Sequence, residues 1–308
     1  MITNPPLAAF RGLLTLALLL GPGATDARAK ATLRWKFQPG EVLRYQTNQT
    51  TTSKVKDGDG KEILQTLTLT IDMSWAVKAV DPSGSASLTQ TIDRIRTTAT
   101  MPFGKFSHDS KEAGDASSPA GPIFKMLVGS EIGFKMSPRG ELSEIKLSEK
   151  LLATLKGGDE PAGAQGQFSE AGLKNMLELM GIVLPEEAVD PGATWARKLA
   201  IPAGPDGQTR AADQTFTYAG PDPSGGGKAE AIELATRFEP IKADPNVPVT
   251  IKSEEARGKY LFDNAGGRIE SSTLTQHVEL TGQIGGKDLA QSTDTSTVMT
   301  LAKGKPAP

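Results

Sequence analysis

Strict alternation of apolar and polar side chains marks residues 67–79 as the clearest structural signal in the chain. Apolar residues occupy every odd position from Leu67 to Ala79, and the even positions are mostly Thr, Ser, Asp or Lys. A period of two places these sets on opposite faces of a strand. The pattern therefore predicts a long antiparallel strand with one dry face and one solvated face.

Turn residues divide most of the remaining chain into segments with similar patterns. Asp-Gly repeats at residues 57–60, Ser-Pro-Arg-Gly at 137–140 and a glycine-rich stretch at 263–267 each separate two strand-like arms, as in hairpins. A change of apolar parity between Ile92 and Ile95 predicts a bulge near Arg94, and the polar residues 105–122 indicate a loop. We predict strands over residues 41–55, 67–80, 86–100, 131–136, 141–146, 194–201, 208–218, 228–238, 249–262, 268–283 and 288–301.

Between residues 148 and 184 the apolar period becomes that of a helix. Ser148 is expected to cap a short helix that ends at Gly157, and Ser169 a second one that ends at Gly181. The second helix carries an apolar stripe at spacings i, i+3, i+4 and i+7, formed by Leu173, Met176, Leu177 and Met180. The fold class predicted is mainly β, a curved antiparallel sheet or unclosed β-barrel with two short helices packed on it.

The first 29 residues have the pattern of a secretory signal peptide. Arg11 precedes an apolar run from Leu13 to Leu20, and Ala27-Arg28-Ala29 is a small-x-small cleavage site. We expect cleavage after Ala29, export to the periplasm or the extracellular space, one β-rich domain over residues 30–302 and a tail at 303–308. The apolar run is shorter than the roughly 20 residues that a membrane-spanning helix needs, and no membrane span is expected after cleavage. The alternative is that the segment is not cleaved and remains as an anchor.

Two parts of this domain, residues 30–147 and 189–302, share features of pseudo-repeats joined by the helical segment 148–184. Each part opens with Pro-Gly and an aromatic residue near the start of a strand, at Pro39–Tyr45 and Pro191–Trp195. Duplication of a β-meander and chance similarity between hairpins both account for this pattern.

Composition and motifs argue against catalysis and against several classes of partner. The chain has no Cys and two His, so it lacks thiolate chemistry and the His or Cys motifs of zinc sites. Ser107-His108-Asp109 contains triad residue types, but triad members come from separate segments, so a solvated loop is expected; His277 is expected on a solvated strand face. We predict a non-enzyme with no catalytic residues, metal or cofactor.

The charged residues do not indicate a partner. The acidic pairs Glu186-Glu187 and Glu254-Glu255 are expected to be solvated. The net charge of −2 without a basic stripe argues against binding of nucleic acid.

The chain resembles a bacterial domain of unknown function, number 6263, over most of its expected mature length. The resemblance rests on the Pro-Gly-Glu opening at Pro39–Tyr45, the mid-chain segment from Leu184 to Trp195, and the hairpin at Tyr260–Ile269. That family is uncharacterised, so the resemblance implies no activity and no functional residues. The layout is also similar to the unclosed β-barrels of lipoprotein carriers such as LolA and LppX, which hold lipid in a curved sheet, although fold alone does not imply function.

Two functional hypotheses follow from these patterns. In the first, the protein binds an apolar small molecule or lipid between the dry face of the long strand and the second helix. The ligand would be lined by Leu69, Ile71, Met73, Trp75, Leu173, Met176, Leu177 and Met180. In the second, these two groups pack on each other, and the protein is a non-catalytic structural or protein-interaction module of the cell envelope. A large apolar cavity favours the first hypothesis, and a filled core favours the second.

Overall fold

A computed structural model of the chain contains one large antiparallel sheet that is not closed into a barrel. It describes residues 30–56, 60–102, 104–112, 124, 127–157, 172, 174, 177–178, 181–202, 209–223, 228–240, 249–284 and 287–302. The strands are β1 (Val42–Lys56), β2 (Glu62–Val80), β3 (Ala86–Met101), β4 (Gly104–Asp109), β5 (Glu131–Met136), β6 (Leu142–Leu147), β7 (Thr194–Pro202), β8 (Thr209–Pro221), β9 (Ala229–Phe238), β10 (Val249–Asp263), β11 (Arg268–Ile284) and β12 (Lys287–Leu301). Their order across the sheet is β6-β5-β3-β2-β1-β12-β11-β10-β9-β8-β7, with β4 paired to β3.

The hydrophobic pattern predicted every strand of the sheet except β4. The predicted bulge is present, because Asp72 pairs with Arg94 and Met73 pairs with Ile92, which leaves Asp93 without a cross-strand partner. The prediction of a loop from residue 105 is wrong at its start, where β4 pairs with the end of β3. The reason is that β5 pairs only with residues 86–91 of β3, so the rest of β3 offers a free edge that β4 occupies.

One helix, α1 (Glu149–Gly157), has defined bounds in the part of the chain that the structure describes, where two were predicted. The Ser148 hydroxyl caps it by accepting a hydrogen bond from the Leu151 amide at 3.4 Å. Of the second predicted helix, most residues lie outside the described ones. The second helix was predicted to pack on the sheet. An extended segment that follows it does so as well, since its side chains Ile182 and Leu184 are fully buried in the core.

The sheet bends strongly at the end that carries the β5–β6 and β10–β11 turns, which we call the near end. The Trp35 amide donates to the Pro138 carbonyl at 2.8 Å in the first turn, and the adjacent Lys36 amide donates to the Gly267 carbonyl at 3.0 Å in the second. In a flat sheet β5 and β11 would lie five strand spacings apart, about 24 Å. Adjacent residues could not reach both turns, so the sheet must curve around residues 31–37.

A second extended segment, residues 182–189, lies beside residues 31–37 and completes the closure of the near end. Ala31 and Val189 form a two-residue antiparallel bridge, and the Leu184 amide donates to the Arg139 carbonyl at 2.7 Å. We call the sheet face against these two segments the inner face. The core that they bury is rich in aromatic rings and includes Trp35, Phe37, Tyr45, Phe134, Phe216, Tyr260 and Phe262.

The opposite end of the sheet, which carries the β11–β12 turn, is the far end, and its inner face is less covered. Leu67 and Met73 lie on the same face of β2, yet Leu67 is 36% exposed and Met73 is 5% exposed. Across the β1–β12 seam, the inner face of the far end carries hydroxyl groups that lie within hydrogen-bond distance. Thr51 Oγ1 lies 3.2 Å from Thr295 Oγ1.

The two parts that the sequence suggests as repeats cross the sheet in the same direction, β7 to β12 and then β1 to β6. Their Pro-Gly turns make equivalent bonds, because the Gly40 amide donates to the Val77 carbonyl at 2.9 Å and the Gly192 amide donates to the Tyr218 carbonyl at 2.7 Å. Both glycines have positive φ, +80° and +90°, a conformation that other residues adopt at a cost. Duplication stays a prediction, and it accounts for this match.

Candidate functional site

The four predicted ligand-lining residues of β2 lie together on the inner face, where they reach from the core toward the far end. Met73 is buried, and Trp75 and Ile71 pack against the core. The Trp75 Nε1 donates to Gln90 Oε1 at 2.8 Å. Leu69 is half-buried and lies nearest the far end.

Among the predicted helix residues, Leu177 is buried and the other three lie outside the described residues. It packs against Ile132, Leu147 and Leu151. The apolar space that Leu177 shares with Trp75 and Met73 has a volume of about 30 Å³, which is near the volume of one water molecule in the liquid. The inner face beneath Trp75 is therefore filled by side chains of the protein itself.

A larger cavity lies on the inner face of β7 to β12, beside the packed core, and we call it the inner cavity. Its volume is about 250 Å³, slightly below the range of about 300–1,000 Å³ typical of small-molecule sites. Its apolar walls are formed by Ile201, Leu234, Phe238, Ala256 and Leu274, and its polar walls by Gln214, Thr236, Glu254, Arg257, Thr275, Gln276, Thr295 and Thr297. Ligand sites combine apolar walls with polar groups that orient the ligand, and this cavity has both kinds of wall.

The register of the sheet explains why these residues line one cavity. On β9 to β12, Thr236, Ala256, Gln276 and Thr295 are successive cross-strand neighbours in one row. Leu234, Gly258, Leu274 and Thr297 form the next row on the same face. Because alternate residues face the same side of a sheet, the two rows together form the floor of the inner cavity.

One lining residue of the inner cavity, Glu254, belongs to a buried ion pair with Arg210. Arg210 Nη2 lies 2.5 Å from Glu254 Oε2, and the two side chains are 11% and 8% exposed. Gln276 Nε2 donates to Glu254 Oε1 at 2.9 Å, and the Arg210 guanidinium lies 5.0 Å from the centre of the Phe238 ring. Arg210 Nε is buried without a hydrogen-bond partner.

The burial of Glu254 corrects the expectation that the Glu254-Glu255 pair is solvated. Glu255 is 70% exposed, because adjacent strand residues face opposite sides of a sheet. Glu254 lies six residues before Tyr260 and eight before Phe262, so the period of two places it on the same buried face of β10. This pattern in the sequence could have predicted its burial. The bulge between Ile251 and Ser253 interrupts that parity just before Glu254 and obscures it in the sequence.

This ion pair is expensive to bury, and it depends on its surroundings. Desolvation costs several kcal/mol for each ion, and removing one partner typically costs about 3–5 kcal/mol because the other charge is left uncompensated. Direct contact, the Gln276 amide and the Phe238 ring offset that cost for Arg210 and Glu254. The result is a buried ion pair that presents its carboxylate, Glu254, to the inner cavity.

The outer face of the same strands carries a larger but polar concavity of about 390 Å³. Its walls include Thr50, Thr52, Glu255, Arg257, Thr275, His277, Asp294 and Ser296. His277 Nδ1 lies 2.7 Å from Asp294 Oδ1 and Nε2 lies 3.5 Å from Glu279 Oε1. The hydrogen bond to Asp294 is the main reason that the pKa of His277 is raised above 6.5. The residues that line this concavity are all polar or charged, whereas Leu, Ile and Phe side chains line the inner cavity.

The other histidine lies in β4 rather than in the solvated loop that the sequence predicts. The His108 ring centre lies 5.4 Å from that of Phe124. The neighbouring Asp109 accepts a hydrogen bond from Arg94 Nε at 2.8 Å, and this bond is the main reason that the pKa of Asp109 falls to about 2. Successive residues of a strand point to opposite faces, so Ser107, His108 and Asp109 do not have triad geometry.

Within the described ranges, no group of three or more His, Cys, Asp or Glu residues could hold a metal ion. The same ranges contain no helix with the length and apolarity needed to cross a membrane.

Comparison with protein families supports the resemblance seen in the sequence. Residues 83–220 match the model of a family of unknown function, DUF6263, the family that the sequence resembles. The matched stretch is less than half of the chain and omits both Pro39–Tyr45 and Tyr260–Ile269, so it is narrower than the resemblance implied. No curated protein matches the sequence.

Among solved structures, the sheet is similar to lipovitellin, in a structure that concerns lipid–protein interactions. The TM-score is 0.54 at 11% identity, over 89% of this chain and 26% of the lipovitellin chain. The chain therefore spans about a quarter of lipovitellin, and at this identity the likeness concerns the fold alone.

Two other solved structures have lower scores. DynF from the dynemicin biosynthesis pathway of Micromonospora chersina has 8% identity over 89% of this chain and 86% of that chain, with a TM-score of 0.25. An outer membrane channel from Pseudomonas putida F1 has 9% identity over 89% of this chain and 98% of that chain, with a TM-score of 0.22. Neither score supports an argument.

Proposed function

We propose that the protein, which matches a family of unknown function over residues 83–220, is exported and binds an apolar ligand or lipid chain on the inner face of its sheet. The observation that carries this proposal is the inner cavity, which is about 250 Å³ in volume and has apolar walls that include Ile201, Leu234, Phe238 and Leu274. Apolar surface that stays half-exposed in the free protein gains free energy when a ligand covers it, about 25 cal/mol for each Å² buried.

The half-exposed apolar residues of the far end support the same proposal. Leu69 of β2 and Val278 and Leu280 of β11 are only half-buried on the inner face, on either side of the hydroxyl-bearing seam between β1 and β12. An apolar chain longer than the inner cavity would find further apolar contacts there. The similarity to the sheet of lipovitellin, a protein studied for its lipid interactions, is a secondary support because it concerns fold alone.

Ligand binding is tested with a pair of variants at adjacent residues of β11. Leu274 lines the inner cavity, so Leu274→Trp should fill part of that space and block binding. Thr273 is exposed on the opposite face, so Thr273→Trp adds the same side chain where no ligand is expected. Binding is measured as a rise in melting temperature across fatty alcohols, fatty acids and phospholipids, because a ligand that binds only the folded state stabilises it.

The expected result is a thermal shift in the wild type and in Thr273→Trp that disappears in Leu274→Trp. Mass spectrometry of an organic extract of the purified protein should also contain a lipid that the Leu274→Trp protein lacks. Absence of any thermal shift and of any extracted lipid in the wild type would end the ligand proposal.

A second candidate function is a non-catalytic structural or protein-interaction module of the cell envelope. The observation that favours it is the packed near end, where only about 30 Å³ remains beneath Trp75. On this proposal the inner cavity is a packing defect, and Leu274→Trp should fill it and raise the melting temperature without affecting any ligand. The thermal-shift comparison above therefore discriminates between the two functions.

Export is proposed from the sequence pattern of residues 1–29, which lie outside the described residues. Edman sequencing of the protein recovered from the periplasm or the medium should begin at Lys30. Recovery of a cytoplasmic protein that retains Met1 would contradict export.

A further inference from the structure

We propose that the inner cavity selects a single-chain amphiphile with an uncharged hydroxyl head group, and that the Arg210–Glu254 pair makes this selection. The inference rests on the proposed function and names the class of ligand for that site. It is carried by a buried ion pair of which one member, Glu254, lines the cavity beside the apolar side chains of Phe238 and Leu274. An apolar cavity alone would select by length and shape, and the ion pair adds selection by charge.

Charge excludes both ionic classes of single-chain lipid. Arg210 and Glu254 neutralise each other at a distance of 2.5 Å, so the pair offers no net charge to an ionic head group. Taking a carboxylate or an ammonium head group out of water is costly, and a pair that is already neutral does not offset that cost. An uncharged head group avoids the cost and leaves the ion pair intact.

Hydrogen bonding selects a hydroxyl over a plain alkyl end. The Glu254 carboxylate accepts hydrogen bonds, the Gln276 amide both donates and accepts them, and the Thr295 hydroxyl does the same; all three line the cavity. A hydroxyl can donate to Glu254 while it accepts from a neighbouring donor. An alkane would displace water from these groups without replacing its hydrogen bonds, which opposes binding.

The test compares four probes of equal chain length, each below its micelle-forming concentration at pH 7. These are the 1-alkanol, the fatty acid, the alkylamine and the alkyl methyl ether, which can accept a hydrogen bond but cannot donate one. Dissociation constants are measured with the wild-type protein by isothermal titration calorimetry. The alkanol should bind at least about tenfold more tightly than the other three, since each competitor either brings a charge that the neutral pair does not compensate or leaves Glu254 without a donor.

Variants of the ion pair should change the selection in a defined direction. Glu254→Gln leaves the Arg210 charge alone, so the preferred probe should become the fatty acid. The double variant with Glu254→Gln and Arg210→Gln removes both charges of the pair, and its discrimination between the probes should largely disappear. Glu255→Gln is the matched control, because Glu255 is the adjacent residue, on the opposite face and 70% exposed, and its selectivity should equal that of the wild type.

The outcomes separate this inference from the proposed function. If none of the four probes binds, the proposed function fails together with the inference. If the acid, the amine or the ether binds as tightly as the alkanol, the protein binds amphiphiles but the selection by the ion pair is wrong. Should Glu254→Gln fail to fold, the wild-type comparison and the uncharged double variant still decide the question.

Discussion

The near and far ends of the sheet are built from the same strands, yet they differ in how their inner face is covered. At the near end, residues 31–37 and 182–189 cross the bent sheet and bury an aromatic core. The Trp35 ring contacts the rings of Phe37, Trp75 and Phe262 at centroid distances of 5.8, 6.1 and 5.7 Å, respectively. At the far end, hydroxyl side chains on β1 and β12 lie between apolar side chains on β2 and β11, and most of them stay half-exposed.

This difference predicts that the two ends contribute unequally to stability. Fully buried side chains of the near end each contribute about 1.5–3 kcal/mol relative to exposure, so most of the free energy of folding should arise there. The far end can then leave apolar surface uncovered without unfolding the sheet. The inner cavity, where we propose that a ligand binds, lies beside the packed region.

The largest expected effect comes from removing the central ring of the near end. Trp35→Ala should lower the free energy of unfolding by about 3–5 kcal/mol because it leaves a cavity in the core. Leu67→Ala at the far end is the control and should cost about 1 kcal/mol or less, since the side chain is already partly exposed. Urea denaturation monitored by circular dichroism measures both values, and similar losses would remove the distinction between the two ends.

A backbone substitution should separate close packing from conformational strain. Gly140 has a φ of +88°, and a Cβ there would lie 2.2 Å from the Ile182 carbonyl oxygen. Gly40 has a φ of +80° with nothing within 4 Å of such a Cβ. Gly40→Ala should therefore cost only the strain of positive φ, about 1–2 kcal/mol.

Gly140→Ala should cost the same strain and a further 1–3 kcal/mol or so for overpacking against the segment 182–189. Thermal melts of the two variants give the comparison. Equal melting temperatures would mean that this segment does not press on the β5–β6 turn.

At the far end, the hydroxyl contacts across the β1–β12 seam should contribute less. Thr295→Val keeps the shape of the side chain and removes the contact with Thr51 Oγ1 at 3.2 Å. The expected loss is about 0.5–1.5 kcal/mol, the usual net value of a hydrogen bond. Thr300→Val on the same strand, where the side chain is exposed, serves as the control, and an equal change in both variants would show that the seam contact adds nothing.

The smallest effect should be a pH dependence from the outer face of the far end. Asp294 and Glu279 raise the pKa of His277 above 6.5, so the protonated ring is favoured in the folded state. The stabilisation should be fully present below pH 6.5 and lost as the pH rises through the higher folded-state pKa. An NMR titration measures that pKa, and Asp294→Asn should move it toward 6.5. A wild-type pKa at or below 6.5 would contradict the contact.

Several elements could be predicted from local sequence, because local rules determine them. The alternation over residues 67–79 set the inner face of β2, the parity change located the bulge beside Arg94, and Ser148 marked the start of α1. β4 could not be recognised in this way. Its strand character depends on a free edge of β3, which is a property of the assembled sheet.

The candidate site was predictable only in its general character. A one-sided apolar sheet led to the hypothesis of an apolar ligand, and the predicted residues Met73 and Trp75 do lie on the inner face, where the protein fills the space around them. The inner cavity lies instead on β7 to β12. Arg210 and Glu254 meet there from strands far apart in sequence, and neither residue stands out in its own segment.

The sequence by itself determined which side chains of each strand share a face, because a period of two is a local property of the backbone. Only the tertiary structure decided how much of that face is covered. Met73 and Leu67 belong to one alternating series, but one is buried and the other is 36% exposed. The reason is that burial depends on which distant segment crosses the sheet at that point, and residues 31–37 and 182–189 reach only the near end.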